Sequence, residues 1–255
     1  MLQEQHRATA RVLDILERLA SSEGGLTLTE LAQQLEAPKS SLFPIVHTLE
    51  ERRYIRQERG TGRYTMGLNA LVLGASVASD RDLEPIIRVM RQVVEDCQET
   101  CQLGILDQGN VLYVEKVDST EAIRMISWVG NRLPANATAI GKALLSGLDD
   151  WRVRALYANG LSGLTTRTIT DMDILLQQLQ EIRLRGIAAE REESTSQLAC
   201  WAVPLYRRQE VFAALSVSVP MFRCDEVKIV QVCRCLFDAK KEIERLAEIR
   251  DFRMI

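Results

Sequence analysis

The sequence predicts an α+β protein in two parts. A small helical unit closed by a hairpin comes first, then a larger domain built on a mainly antiparallel sheet. Three observations carry this. The first 50 residues place apolar side chains at helical spacing, interrupted twice by turn-forming clusters. Two short alternating runs around glycines follow. Beyond residue 98 the texture changes to strand–turn–strand runs with helical segments among them, and strands joined mainly by hairpins give an antiparallel sheet.

Taken in order, Val12, Ile15, Leu16 and Leu19 set a first helix, and "SSEGGLT" breaks it. "TLTELAQQLEA" resumes the stripe with Leu28, Leu31, Ala32 and Leu35. Thr27 or Thr29 can cap its start, and Glu30 lies three residues after Thr27, the spacing of a capping box. "APKS" is a short turn, and Leu42, Ile45, Val46 and Leu49 mark a third helix. "YIRQE" and "RYTMG" flank "RGTG" as a hairpin. Three helices and a hairpin within 66 residues is the order of a winged helix-turn-helix. The tight turn between the second and third helices favours that over a helical cap on an enzyme.

"LNALVLGASVASD" reads as a helix leaving this unit, and another runs from about Leu83 to Cys97. "QLGILD" and "VLYVEKVD" form a hairpin across "QGN", and "AIRMISWVG" is expected to be a third strand. Helices are expected in "NATAIGKALLSGL", "DWRVRALYANG" and "DMDILLQQLQEIRLRG", the last stopped by Gly186. Strands follow at "LACWAVPLY" and "VFAALSVSV", and a long helix from about Asp225 to Glu248 closes the chain. The domains expected are residues 1–66, a linker helix over 67–80, and residues 81–255.

Composition narrows the function. The chain has 255 residues, 46% hydrophobic and 26% charged, as in an ordinary folded protein. No apolar run approaches the ~20 residues a membrane span needs. The opening "MLQEQHRATARVLDILERL" is charged throughout and lacks the apolar core of a secretion signal, so a cytoplasmic location and no membrane partner are expected. The net charge is −3, yet residues 38–66 hold six cations (Lys39, Arg52, Arg53, Arg56, Arg59, Arg63) against three acids (Glu50, Glu51, Glu58). The nearest cysteine pairs, Cys97/Cys101 and Cys233/Cys235, lack zinc-knuckle spacing, and His6 and His47 are far from both. No metal and no cofactor is expected.

Four segments carry a resemblance: "LTLTELAQQLEAPKSSLFPIVHTLEERRYI" followed by "GRYTMG", then "LPANATAIGKALL", then "REESTSQLACWAVPLY" with "FAALSVSVP". In that order they resemble the IclR family of bacterial transcriptional regulators over nearly the whole chain. "LGILDQGNVLYVEKVDS" and "TRTITDMDILL" look most like regulators of sugar-acid catabolism. The resemblance implies a winged helix-turn-helix, a linker helix and a GAF-like effector-binding domain. It implies a repressor that binds double-stranded DNA at pseudo-palindromic operators as a dimer, often a tetramer.

A helix fits the major groove and meets base edges with its N-terminal residues. Here those are Lys39, Ser40, Ser41 and Phe43, with His47 one turn on. Arg59 and Arg63, around the hairpin tip, suit phosphate or the minor groove. Pro44 departs from the family, where many members carry arginine. If Ser41 caps the helix, Pro44 lies in the first turn and loses nothing. If the helix begins at Pro38 or Lys39, Pro44 frees the carbonyl of Ser40 and kinks the axis. On either placement Pro44 is expected to retune which sequence is read.

The family's ligand site carries over to Ala139, Ile140, Glu190, Cys200, Ser216 and Ser218, with Asn136 where members often have histidine. Ser216 and Ser218 alternate on one strand and share a face. Glu190, an acid in a site for acids, suits ligand hydroxyls. The expected effector is a small hydroxylated or keto acid. An enzyme using Cys200 or a serine is disfavoured, because both histidines lie in the first 47 residues and no other base is at hand. A ligand-sensing interaction protein whose DNA reading Pro44 has impaired is the second alternative.

Overall fold

The computed structural model describes residues 6–22, 24–79, 83–125, 128–249 and 252. The chain divides into two compact units, residues 1–81 and 82–254. Among the described residues, no helix is long and apolar enough to cross a membrane.

In the first unit, α1 (Arg7–Ala20), α2 (Leu28–Gln34) and α3 (Lys39–Glu51) bury the stripes their spacing predicts, with Ile15, Leu19, Leu31, Leu42, Val46 and Leu49 at the centre. The capping box forms: Glu30 N donates to Thr27 Oγ1 at 3.2 Å and Thr27 N donates to Glu30 Oε2 at 2.7 Å. A two-residue strand β1 (Leu26–Thr27), too short to register in the sequence, pairs with the hairpin of β2 (Ile55–Gln57) and β3 (Arg63–Met66). The strand order is β1-β3-β2, and Ile55 and Tyr64 close the core from the hairpin. A helix α4 (Leu68–Ser79) follows, with Leu68, Leu71 and Val72 at least 65% exposed. The boundary expected between residues 80 and 81 lies outside the described residues.

The second unit is a six-stranded sheet in the order β6-β5-β4-β9-β8-β7, antiparallel throughout. Its strands are β4 (Thr100–Asp107), β5 (Asn110–Val117), β6 (Arg132–Pro134), β7 (Ala188–Arg191), β8 (Leu198–Arg207) and β9 (Glu210–Pro220). One face packs Leu103, Trp201, Val203, Leu215 and Val217 against α5 (Glu84–Cys97) and α9 (Glu226–Ile249). The other packs Val111, Tyr113, Cys200, Ala202 and Ala214 against α6 (Ala139–Leu145) and α8 (Met172–Arg185), with Val153 of α7 (Asp150–Leu156) joining them. Gly186 ends α8 in the left-handed conformation, φ 73°, as a C-terminal glycine does.

One strand expectation needs correcting, and one strand went unread. "AIRMISWVG" is not a strand among its described residues; Ile126 and Ser127 lie outside them. Ile123 and Val129 face water, at 63% and 52% exposure, while Met125 is half-buried, and Arg223 Nη2 takes the Ile123 carbonyl at 2.9 Å. The third strand is instead β6, pairing Leu133 with Val111. The sequence also hid β7. Its burial alternates, Ala188 and Glu190 inward, but the inward glutamate breaks the apolar period on which strand recognition rests.

Candidate functional site

The third helix begins at Lys39, with Pro38 as its N-cap and no side-chain cap. Pro44 is therefore an interior residue, the sixth of the helix, and of the two placements open from sequence the second is the one found. Ser41 does not cap; its Oγ donates back to the Pro38 carbonyl at 2.7 Å. Lys39, Ser40, Phe43, Pro44 and His47 are exposed. The rings of Phe43 and His47 lie parallel within 5°, centroids 6.2 Å apart, and His47 Nε2 stands 3.7 Å from Glu51 Oε1.

The hairpin turns through Gly60 and Gly62, at φ 106° and 67°, values that favour glycine. Arg59 is exposed on this turn. Arg63 is engaged inside the protein. Its Nη1 donates to the Gly25 carbonyl at 2.6 Å and its Nη2 to Glu30 Oε1 at 2.9 Å.

In the second unit, β-sheet register assembles the expected ligand residues. Glu190 pairs with Cys200, Cys200 with Ser218, and Ser218 with Thr100. In the next inward row Ala202 pairs with Ser216 and Ser216 with Gln102. Paired residues share a face, so these side chains converge under α6 and α8. Cys200 Sγ lies 3.3 Å from Ser218 Oγ, and Ser218 Oγ donates to Gln102 Oε1 at 3.0 Å. Ser216 Oγ is 3.5 Å from the same oxygen, and Gln102 Nε2 reaches Met125 Sδ at 3.7 Å.

Glu190 is buried. Its Oε2 accepts from Glu193 N at 2.8 Å and its Oε1 from Ser194 Oγ at 2.9 Å. Burial holds its carboxyl above the ordinary carboxylate range. The nearby cation, Lys142 of α6, is itself fully buried and committed to Glu193, 2.7 Å from both carboxylate oxygens, with Gln178 Oε1 at 2.8 Å.

Ala139 and Ile140 open α6 in the same apolar cluster as Cys200. The Ile140 Cδ1 comes within 2.9 Å of where a Cβ on Gly104 would stand, so the isoleucine occupies space that the glycine leaves. Asn136 is buried in the turn that leads into α6. Its Nδ2 donates to the carbonyls of Ser162 and Ile169 at 2.9 and 3.0 Å, and its buried Oδ1 has no partner among the described residues.

Sequence reasoning missed Gln102, Met125, Lys142 and Glu193. Lys142 had a signal, a lone lysine in the apolar run "AIGKALL"; Gln102 sat between apolar residues in "CQLGI". The arrangement is a buried, hydrogen-bonding wall of amide, hydroxyl, thiol and carboxyl groups. Burial pushes the Cys200 thiol well up, away from the thiolate a nucleophile needs. Among the described residues, no group of three or more histidine, cysteine or acidic side chains is placed to hold a metal.

Comparison with known proteins places both units in one family. Residues 8–59 match the model of the IclR helix-turn-helix domain, and residues 76–245 that of the bacterial transcriptional regulator IclR C-terminal domain. The chain is 33% identical over 244 residues to the acetate operon repressor of Salmonella typhimurium, covering 94% of this chain and 89% of the relative. It is 33% identical over 249 residues to the HTH-type transcriptional regulator KdgR of Escherichia coli, covering 95% and 93%. A solved structure of an IclR homolog from Microbacterium hydrocarbonoxydans, complexed with 4-hydroxybenzoate, superposes with a TM-score of 0.74 at 22% identity, covering 94% of this chain and 99% of that one.

Proposed function

The chain belongs to the IclR family of bacterial transcriptional regulators, and on that footing we propose that it is a sequence-specific repressor whose grip on DNA is set by a small hydroxylated or keto acid. It is a regulator, not an enzyme.

The observation that carries DNA reading is the outward face of α3. Lys39, Ser40, Phe43 and His47 stand exposed there, and Arg59 is exposed on the wing. Lys39 serves phosphate or guanine, Ser40 and Ser41 either base or backbone, and Phe43 a thymine methyl. His47 and Arg59 take phosphate. Pro44 changes the presentation of these residues and leaves the cations in place, so impaired reading is the weaker alternative.

The acid would lie against Ala139, Ile140, Glu190, Cys200, Ser216 and Ser218. The serine–glutamine row and the buried Glu190 favour a ligand that brings hydroxyl groups of its own. A solved homolog holds 4-hydroxybenzoate, an acid with a hydroxyl. The repressor reading follows the acetate operon repressor. The exposed apolar residues of α4, Leu68, Leu71 and Val72, support self-association into a dimer, with a tetramer as a further step. Control works through differential affinity: the acid favours one arrangement of the protein, and that arrangement holds the operator better or worse.

A thermal-shift screen of the full chain tests the ligand class. Lactate, glycerate and gluconate are expected to raise the melting temperature and to change DNA affinity. A screen that returned only neutral ligands, or only aromatic ones bulkier than 4-hydroxybenzoate, would sink the small-acid reading.

A further inference from the structure

An α-helix satisfies the carbonyl of each residue with the N–H of the residue four positions on. Pro44, inside α3, has no N–H. The carbonyl of Ser40 therefore lacks its donor four residues on, and the pyrrolidine ring crowds it. Leu42, Val46 and Leu49 mark the buried side of α3, while Ser40, Pro44, His47 and Glu51 are exposed on the opposite side. The Ser40 carbonyl therefore lies on the outward side of the helix, the side that carries Pro44 and His47. Neighbouring hydroxyls are occupied elsewhere. Ser41 Oγ donates to the Pro38 carbonyl at 2.7 Å and Thr48 Oγ1 to the Pro44 carbonyl at 2.8 Å.

A regular helix meets base edges with side chains alone, because its interior carbonyls are used within the helix. This one adds a backbone acceptor. In the major groove adenine and cytosine present amine donors, at N6 and N4, whereas guanine and thymine present acceptors. A carbonyl only accepts. Facing an amine it gains a hydrogen bond; facing O6 or O4 it is left unpaired and repelled.

We propose that the Ser40 carbonyl, opened by Pro44, is a base-reading acceptor that selects adenine or cytosine at one position of one strand in the major groove. This rests on the reading above, that α3 enters the groove. The residue that costs the helix its hydrogen bond thereby supplies a group for specificity.

The test uses the full chain, its Pro44→Ala variant and a duplex selected by the wild type from a randomised library. Alanine restores the N–H, closes the Ser40 carbonyl into the helix, adds nothing that reaches DNA, and is the better helix former, so the variant folds. Each adenine of the selected duplex is replaced in turn by purine, which lacks the N6 amine, and each cytosine by 2-pyrimidinone, which lacks the N4 amine. At one position the wild type is expected to lose roughly three- to tenfold in affinity, the scale of one hydrogen bond. Pro44→Ala is expected to be indifferent there, with an unchanged or higher melting temperature. Ser40→Ala, which keeps the carbonyl and removes the hydroxyl, is expected to retain the dependence. The proposal is overturned if Pro44→Ala keeps the same amine dependence, or if Ser40→Ala loses it. A wild type that enriches no sequence fails earlier and overturns the DNA reading itself.

Discussion

Arg63 of the wing is paired with Glu30 at the start of α2, Nη2 to Oε1 at 2.9 Å, across 33 residues of chain. The same glutamate closes the capping box with Thr27, whose N–H reaches Oε2 at 2.7 Å. A single carboxylate thus fixes where α2 begins and where the hairpin lies. The third partner, the Gly25 carbonyl, needs a glycine: at φ 68° an added Cβ would stand 2.4 Å from the Tyr64 carbonyl oxygen. Arg63, expected from sequence at the DNA, makes these two contacts within the first unit while its side chain stays 37% exposed.

The salt dependence of DNA binding separates the two wing arginines. Each phosphate contact contributes about 0.9 to the slope of log affinity against log salt on duplex DNA. Arg59→Ala is expected to lower that slope by about 1, and Arg63→Ala to leave it unchanged while lowering the melting temperature. Glu30→Gln should behave like Arg63→Ala. A reduced slope in Arg63→Ala would place that arginine on phosphate.

The buried Glu190 makes stability depend on pH. A carboxyl whose folded pKa is raised binds its proton more tightly in the folded state. Its contribution is full below the ordinary value of 4.5 and is lost as pH rises through the higher folded value. Chemical denaturation between about pH 4.5 and 7 should show wild type losing stability relative to Glu190→Gln as pH rises. Lys142, Cys200 and Tyr113 each feel the Glu190 charge, so the difference reports the carboxyl together with its coupling to them. A flat difference would mean that burial does not raise the Glu190 carboxyl.

The pair of Lys142 and Glu193 joins α6 to the segment after β7. Lys142 is completely buried, and burial pulls its pKa down against the pull of Glu193. Removing one partner of a buried pair leaves an uncompensated charge and costs about 3–5 kcal/mol. Glu193→Leu is expected to lose that much in urea denaturation, and Lys142→Met with Glu193→Leu to recover most of it. A cost below about 1 kcal/mol for the single variant, the range of a surface pair, would contradict the burial.

Much of the fold could be read in the chain, and the gaps have physical reasons. The helices of the first unit were legible because each buries one apolar stripe, and Glu30 three residues after Thr27 announced its cap. Gly186 announced the end of α8. The strand β7 was hidden because its inward position holds Glu190, a residue placed for hydrogen bonding where a strand pattern expects an apolar one. "AIRMISWVG" misled in the opposite sense, apolar but exposed. The serines were legible as a pair on one strand; Gln102, which joins them, comes from β4, over 110 residues away. No local pattern encodes a contact made across a sheet. The helix start at Lys39, which decides what Pro44 does, had no side-chain cap to mark it.

Ile140 limits the space beside Gly104, with Cδ1 2.9 Å from the position a Cβ would take. Ile140→Ala is expected to cost about 2–5 kcal/mol of stability. It is also expected to admit larger acids, so that 4-hydroxybenzoate raises its melting temperature more than that of wild type. Equal shifts in the two proteins would show that this side chain does not bound the ligand space.

The most direct test is equilibrium binding of the full chain to a duplex it has itself selected, beside a scrambled duplex, between about 50 and 200 mM salt. The account predicts a preference of roughly a thousandfold or more for the selected duplex, a steep loss of affinity with salt, and a shift of that affinity when a small hydroxy acid is added. Equal, weak binding to both duplexes, unmoved by the acid, would contradict it.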